Sequence, residues 1–264
     1  MSNQTLVSPL AVVHPGAKLG ENVRVEPFAV IEDNVIIGDN SVIHTHAVIR
    51  SGARLGKHCE VHPGAVVANI PQDLKFEGED TVAIIGDYTT IRECVTINRG
   101  TKSRGHTTIG DHCLLMAYSH VAHDCEVGNH VIIGNATQIA GEVEIADYAT
   151  ISGGVLVHQF TRIGTQVMVQ GGCRFSKDIP PFTLVGREPT VYCGINIVGL
   201  RRRGYTKEQI YIINDIYRTL YQRGLNTTDA FAVIKADFPD SEERRIILDF
   251  ITSSQRGIIR GNLE

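Results

Sequence analysis

From Val7 onward the chain places an aliphatic residue at every sixth position. The series Val7, Val13, Leu19, Val25, Ile31, Ile37, Ile43, Ile49, Leu55, Val61 and Val67 runs without a miss. It resumes in phase at Ile85, Ile91 and Ile97, and again from Ile109 through Val121, Ile139 and Val157 to Val169. If Val, Ile and Leu fill about a quarter of an average sequence, chance agreement over this series is on the order of one in 10¹⁵. Four residues after each stands a mostly small side chain, among them Ala11, Ala29, Ala47, Ala53, Cys59, Ala65, Cys113, Cys125, Thr137 and Ala149, and glycine often follows the aliphatic residue directly. A period of six matches neither the 3.6-residue helical turn nor the two-residue alternation of a sheet. It does match short strands joined by tight corners and wound into a solenoid, with the small residues at crowded inside corners. Three hexads close one triangular coil, and successive coils stack at about 4.8 Å.

Two stretches break the period, ANIPQDLKFEGEDTVA at 68–83 and RGTKSRGHT at 99–107. Kept in phase, Asp73, Glu79 and Ser103 would point into an aliphatic core, so loops over about 68–84 and 99–108 are expected to leave the coil. Loops on a rigid scaffold commonly carry function. For the second, a tolerated insertion is the alternative. After Cys173 the hexads stop, and a connector with Pro180, Pro181 and Pro189 follows. TKEQ at 206–209 reads as a capping box opening a helix that Gly224 ends, with two more helices expected over 227–237 and 241–256. The expected organisation is a solenoid unit over 1–190 and an all-α unit over 191–264.

The net charge of −4 argues against nucleic acid as the default partner, because phosphate binding needs a basic surplus. The six cysteines form no CxxC pair, and Cys59, Cys113, Cys125 and Cys173 share one phase of the repeat, which fits reduced, buried thiols better than disulfides or zinc. The first residues lack a basic segment followed by a long apolar one, and no apolar run is long enough to span a bilayer. A cytoplasmic protein without membrane insertion is the expectation.

The hexads beginning at Val121, Ile139 and Val157 stack on one corner. That corner carries His123 and Asp124, then Gly141 and Glu142, then Gln159, flanked by His120 and His158. A carboxylate beside His123 can hold its imidazole in one tautomer and stabilise the imidazolium, as a general base near neutral pH requires. His14, His44, His46, His58, His62, His106, His112 and His130 are read as solvated side chains. No serine or cysteine stands in the column as a nucleophile, since Cys125 has the inward phase, so direct attack by a substrate hydroxyl is the simpler mechanism.

Residues 7–174 resemble the hexapeptide-repeat acyltransferases, whose fold is a left-handed parallel β-helix. The handedness comes from that resemblance, because the general rule for parallel crossovers favours the right-handed form. Within the superfamily, HVAHD at 120–124, IPQDLK at 70–75, HQF at 158–160 and NIVGLRRRG at 196–204 are similar to the UDP-N-acetylglucosamine 3-O-acyltransferases that open lipid A synthesis. The resemblance implies transfer of an (R)-3-hydroxyacyl chain from acyl carrier protein to the sugar 3-hydroxyl. It makes His123 the base, Asp124 its orienting partner and the Gly141 N–H the oxyanion donor. Gln72, Asp73, Lys75, His120 and Gln159 would hold the glucosamine and phosphate, with His158 at the acyl and sugar site. Asn196, Arg202 and Arg203 would bind the diphosphate from an adjacent subunit of a homotrimer. No resident cofactor or metal is implied, the 4′-phosphopantetheine arriving on the carrier protein, for which Arg162, Arg174 and Lys177 are candidate contacts. Gly171, at the floor of the acyl groove, implies a long chain. Two positions depart from the family pattern, Glu142 where it has histidine and Val198 where it has glutamate. The rival of another class is a γ-type zinc carbonic anhydrase, which needs three histidines at about 2.0–2.1 Å from one metal.

Overall fold

A computed structural model describes residues 5–261. Residues 1–4 and 262–264, which the expected units include, lie outside the described residues. Strands mostly two residues long visit three sheets in turn, so that the sheets hold every third strand. Face one begins with Leu6–Val7, face two with Val12–Val13 and face three with Lys18–Leu19, and the result is a parallel β-helix of triangular section. The last pair on face one, Thr183–Gly186 with Val191–Ile195, is antiparallel.

Register explains why the aliphatic phase survives both breaks. Paired residues are 18 apart in the regular coils, as in Val7↔Val25. The separation becomes 30 at Val61↔Ile91 and 24 at Ile91↔Leu115, so each excursion adds a whole number of hexads. From Val25 to Val169 the sixth-position residues are buried, each contributing about 1.5–3 kcal/mol. Val7 is exposed and Val13 and Leu19 are only half-buried, because they belong to the terminal coil with no described coil beneath. At the other end Ile179, Val185 and Ile259 complete the core, and the Ile259 N–H donates to the Asp178 carbonyl at 2.9 Å.

Corners turn through left-handed residues spaced by six, including Asn22, Asn34, Asn40, His46, Asp124, His130 and Glu142. That conformation costs roughly 1–2 kcal/mol for a residue with a Cβ, which coil stacking offsets. The small-residue phase is inside as expected. Burial pushes the Cys59 and Cys113 thiols up to about 11 and Cys125 to about 12.

A short helix, α1 (Ile197–Arg202), was not anticipated from the pattern. The next, α2 (Lys207–Gln222), starts at the expected capping box between Thr206 and Gln209. The third, α3 (Thr227–Asp237), has its expected bounds. The fourth, α4 (Glu242–Thr252), ends four residues before the expected 256. There the chain returns to the solenoid: the Ser254 hydroxyl donates to Asp178 and the Arg256 guanidinium to the Ser176 carbonyl, each at 2.7 Å. These helices enclose a second core with Phe182, Tyr192, Ile213, Tyr217 and Ile247.

Candidate active site

Face two carries His120, Gln138 and Leu156 in register, one above another. The corner that follows it stacks in the same way. The Glu142 N–H donates to the His123 carbonyl at 3.0 Å and the Phe160 N–H to the Gly141 carbonyl at 3.2 Å. The expected column of 123, 141 and 159 is therefore continuous at backbone level.

His123 Nδ1 lies 2.8 Å from Asp124 Oδ2. The Asp124 side chain is wholly buried, and its backbone sits at φ 58°, where Asp is tolerated better than most residues. It also accepts the Thr101 hydroxyl at 2.7 Å, the Thr101 N–H at 2.9 Å and the Arg104 N–H at 3.1 Å. Burial pushes this carboxyl up, but the bonds from Thr101, His123 and the Arg104 N–H outweigh it and hold it below its ordinary 3.8. An ionised carboxylate only accepts, so the proton of a neutral His123 sits on Nδ1 and the lone pair on Nε2. Gly141 packs against that edge of the ring: a Cβ there would lie 2.6 Å from Cε1 and 2.7 Å from Nε2. Close approach, not backbone conformation, requires this glycine.

Thr101 and Arg104 come from the second excursion, whose functional residues the hexad pattern missed. The signal lay in Asp124 itself, an inward-leaning carboxylate whose nearest hydrogen-bond donors had to come from the only nearby break in the repeat. Thr107 adds another contact, its hydroxyl accepting the Asp124 N–H at 2.8 Å. Thr96 was also missed; its hydroxyl is 2.7 Å from His120 Nδ1. Burial, with a smaller push from neighbouring His123, holds the half-buried His120 below the usual histidine range against the opposing bond from Thr96.

His158 and Gln159 are exposed, and the His158 Nδ1 lies 3.0 Å from the Gln159 carbonyl. Glu142 lines an adjacent cleft of about 660 Å³ with Arg104, Arg162 and Arg256. Gly171 is exposed at the other edge of face two, where a Cβ would meet the Gly153 carbonyl at 3.2 Å. On the first excursion Gln72 and Lys75 are exposed, and Asp73 accepts the Lys75 N–H at 2.9 Å. Among the described residues, no hydrogen bond or ion pair joins these three side chains to the His123 column.

Asn196, Arg202 and Arg203 lie elsewhere. They line a groove of about 870 Å³ over face one, with Met168 and Val198. Asn196 caps α1 by accepting the Gly199 N–H at 3.1 Å and donates to the Gln166 carbonyl at 2.8 Å. Arg203 donates to Gln166 Oε1 at 2.8 Å and lies over the Tyr148 ring, whereas Arg202 is exposed. In a triangular coil face one is opposite the corner between faces two and three. A single chain therefore does not bring this groove to His123. Of the basic residues, Arg162 pairs with Glu144 and Arg174 with Glu188, and Lys177 donates to the Arg256 carbonyl. His123 and His158 belong to no set of three converging metal-ligating side chains among the described residues.

Stacked hexads of this kind place the chain in the class of hexapeptide-repeat transferases. Residues 34–69 and 106–141 match the family described as bacterial transferase hexapeptide (six repeats). Residues 178–259 match the second domain of UDP N-acetylglucosamine O-acyltransferase. A curated acyl-[acyl-carrier-protein]–UDP-N-acetylglucosamine O-acyltransferase from Halorhodospira halophila is 46% identical over 257 residues, covering 97% of this chain and 100% of the relative. The crystal structure of a UDP-N-acetylglucosamine acyltransferase from Bacteroides fragilis superposes with a TM-score of 0.95 at 55% identity, over 97% of this chain and 100% of that one. The corresponding Arabidopsis enzyme gives 0.86 at 30% identity, over 97% and 100%. The chain belongs to the UDP-N-acetylglucosamine O-acyltransferase family.

Proposed function

We propose that this chain transfers an acyl group from acyl carrier protein to the 3-hydroxyl of UDP-N-acetylglucosamine, the step that opens lipid A synthesis, with His123 as general base. His123 Nε2 takes the hydroxyl proton as the sugar oxygen attacks the thioester carbonyl. The Gly141 N–H, which donates to no group among the described residues, stabilises the oxyanion. The tetrahedral intermediate collapses by breaking the C–S bond, and His123 returns its proton to the departing thiolate. Asp124 holds the ring and stabilises the imidazolium throughout. No covalent acyl-enzyme is needed: Cys125, the thiol nearest in sequence, is buried and pushed up to about 12. The observation that carries the reading is the 2.8 Å bond between His123 and a buried, four-donor carboxylate, with Gly141 against the ring's free nitrogen.

The complete site lies between copies of the chain in a homotrimer. In its support, the groove with Asn196, Arg202 and Arg203 faces away from His123 within one chain, and Leu74 beside Asp73 and Lys75 is fully exposed. Gln72, Asp73, Lys75, His120, Glu142, His158 and Gln159 hold the sugar and phosphates, and the open surface at Gly171 accepts a long acyl chain. The 4′-phosphopantetheine arrives on the carrier protein, so no resident cofactor is needed. A cytoplasmic location fits six free cysteines, and no described helix is long and apolar enough to cross a membrane. Two separate apolar cores support two units, joined across 190/191 by the strand pair Thr183–Gly186 and Val191–Ile195, with Phe182 in the helical core and Ile259 in the solenoid core. Mass spectrometry of purified protein with UDP-N-acetylglucosamine and a panel of 3-hydroxyacyl carrier proteins tests the reading. An O-acylated sugar nucleotide is expected, with long donors preferred; no product with any donor would overturn the function, and preference for short donors would overturn the role of Gly171.

A further inference from the structure

The corner between faces one and two carries a second histidine column, nearer the N-terminal end and separate from His123. His44 and His62, expected to be lone solvated side chains, stand in adjacent coils through the pairing of Val42–Ile43 with Glu60–Val61. Their ring centroids are 4.7 Å apart. Glu60 projects outward beside them, its Oε2 3.5 Å from His62 Nε2. One ligand atom from each of the three residues lies within 4.8 Å of the other two.

Donors bound to tetrahedral zinc at about 2.0–2.1 Å stand roughly 3.4 Å from one another. The Glu60–His62 edge already has that length, and the His44 ligand atom lies within 4.8 Å of both. Both rings are backed by carboxylates on the other nitrogen. His44 Nδ1 is 3.1 Å from Glu26 Oε2, and His62 Nδ1 is 3.5 Å from Glu93 Oε1. The hydrogen bond to Glu26 holds the His44 proton on Nδ1 and leaves its Nε2 lone pair for a metal, the support that metal-binding histidines commonly carry, whereas His62 has a carboxylate 3.5 Å from each nitrogen. Arg24 pairs with Glu26 at 3.4 Å and Arg92 with Glu93 at 2.8 Å, so the backing carboxylates have cationic partners in contact, while Glu60 is paired with His62 and feels Arg92 only through its field. An ionic network alone accounts for the backing pairs. It does not account for two imidazoles and a third carboxylate converging.

We infer that His44, Glu60 and His62 form a site for a divalent transition-metal ion of zinc type, with its remaining positions open. Such an ion cross-links two adjacent coils near the exposed end of the solenoid. The inference is independent of the acyl-transfer reading.

Isothermal titration of the full-length protein with zinc chloride, after chelator treatment and under reducing conditions, tests it. One zinc per chain is expected with a Kd of about 10 µM or tighter. His44→Ala and His62→Ala should each weaken binding by roughly tenfold or more. Glu60→Gln should weaken it less, while His112→Ala on another corner and Cys94→Ser at the nearby exposed thiol should change nothing. Zinc should raise the thermal midpoint of wild type but not of His62→Ala. No saturable binding, binding that persists in the His44→Ala/His62→Ala double variant, or loss in Cys94→Ser would each overturn the site. If the histidine variants misfold by circular dichroism, Glu60→Gln decides, since its exposed carboxylate leaves the core untouched: full retention of affinity there overturns the site.

Discussion

The two excursions from the solenoid differ in what they hold. The first is fastened at its root, where Asn98 donates to the Ile70 carbonyl at 3.0 Å, and at Phe76, over which the Arg99 guanidinium lies. Its tip with Gln72, Leu74 and Lys75 is exposed. The second folds inward and spends its Thr101 and Arg104 N–H groups on Asp124. Both are polar insertions at breaks in one repeat, yet one is an arm and the other a brace. The difference teaches that a loop's part is set by whether its donors meet an acceptor on the scaffold: Asp124 supplies one to the second, and among the described residues no carboxylate of the coil meets the N–H groups of the first.

The largest effect belongs to the group that the brace serves. His123→Ala should lower acyl transfer by roughly 10² to 10⁴ without loss of folding, measured as kcat/KM beside a circular dichroism spectrum. Next comes the brace. Thr101→Val removes the hydroxyl bond to Asp124, and a drop in kcat of about tenfold is expected with KM little changed. The acid limb of its pH profile should move upward, because a carboxylate with fewer donors is more basic, and Thr101→Ser should restore both. A purely structural loop would lower both parameters and leave the limb in place. For the arm, Lys75→Ala should raise KM by about fivefold with kcat and the pH profile unchanged; a shifted profile would erase the contrast between the loops.

The smallest effect is thermodynamic. Because the folded-state pKa of Asp124 is depressed, its ionised form adds stability that is present above the ordinary 3.8 and lost as pH falls through the lower folded value. Wild type should exceed Asp124→Asn in urea midpoint at pH 7, and the gap should shrink as pH falls below 4. A constant gap would mean that packing, not charge, accounts for it.

Much of this was legible beforehand because the repeat is a ruler. A residue six steps from Val121 has its direction set by the coil, so His123, Gly141 and Gln159 could be placed on one corner by counting. The ruler also placed the four inward cysteines. It was silent wherever chain left the coil. Thr101 reaches Asp124 across 23 positions through an irregular loop, and no period encodes that contact. His44 and His62 are also three hexads apart, but read as lone side chains they gave no reason to look there until the pairing of their coils and the carboxylates Glu26 and Glu93 were seen. Helix α1 is too short for periodicity to register, and α4 is closed by Ser253, whose hydroxyl and N–H donate back to the last turn, before Ser254 reaches the distant Asp178.

The account rests on one catalytic centre built from the His123 corner of one chain and the face-one groove of another. Co-expression of His123→Ala chains with Arg202→Ala chains, each inactive or nearly so alone, tests this most directly. With equal expression and random assembly, one site in three of each mixed trimer, and so about a quarter of all sites, would pair an intact corner with an intact groove; recovery of about a quarter of wild-type kcat per chain is expected. If mixed trimers form and no activity returns, each site lies within a single chain and the account is contradicted.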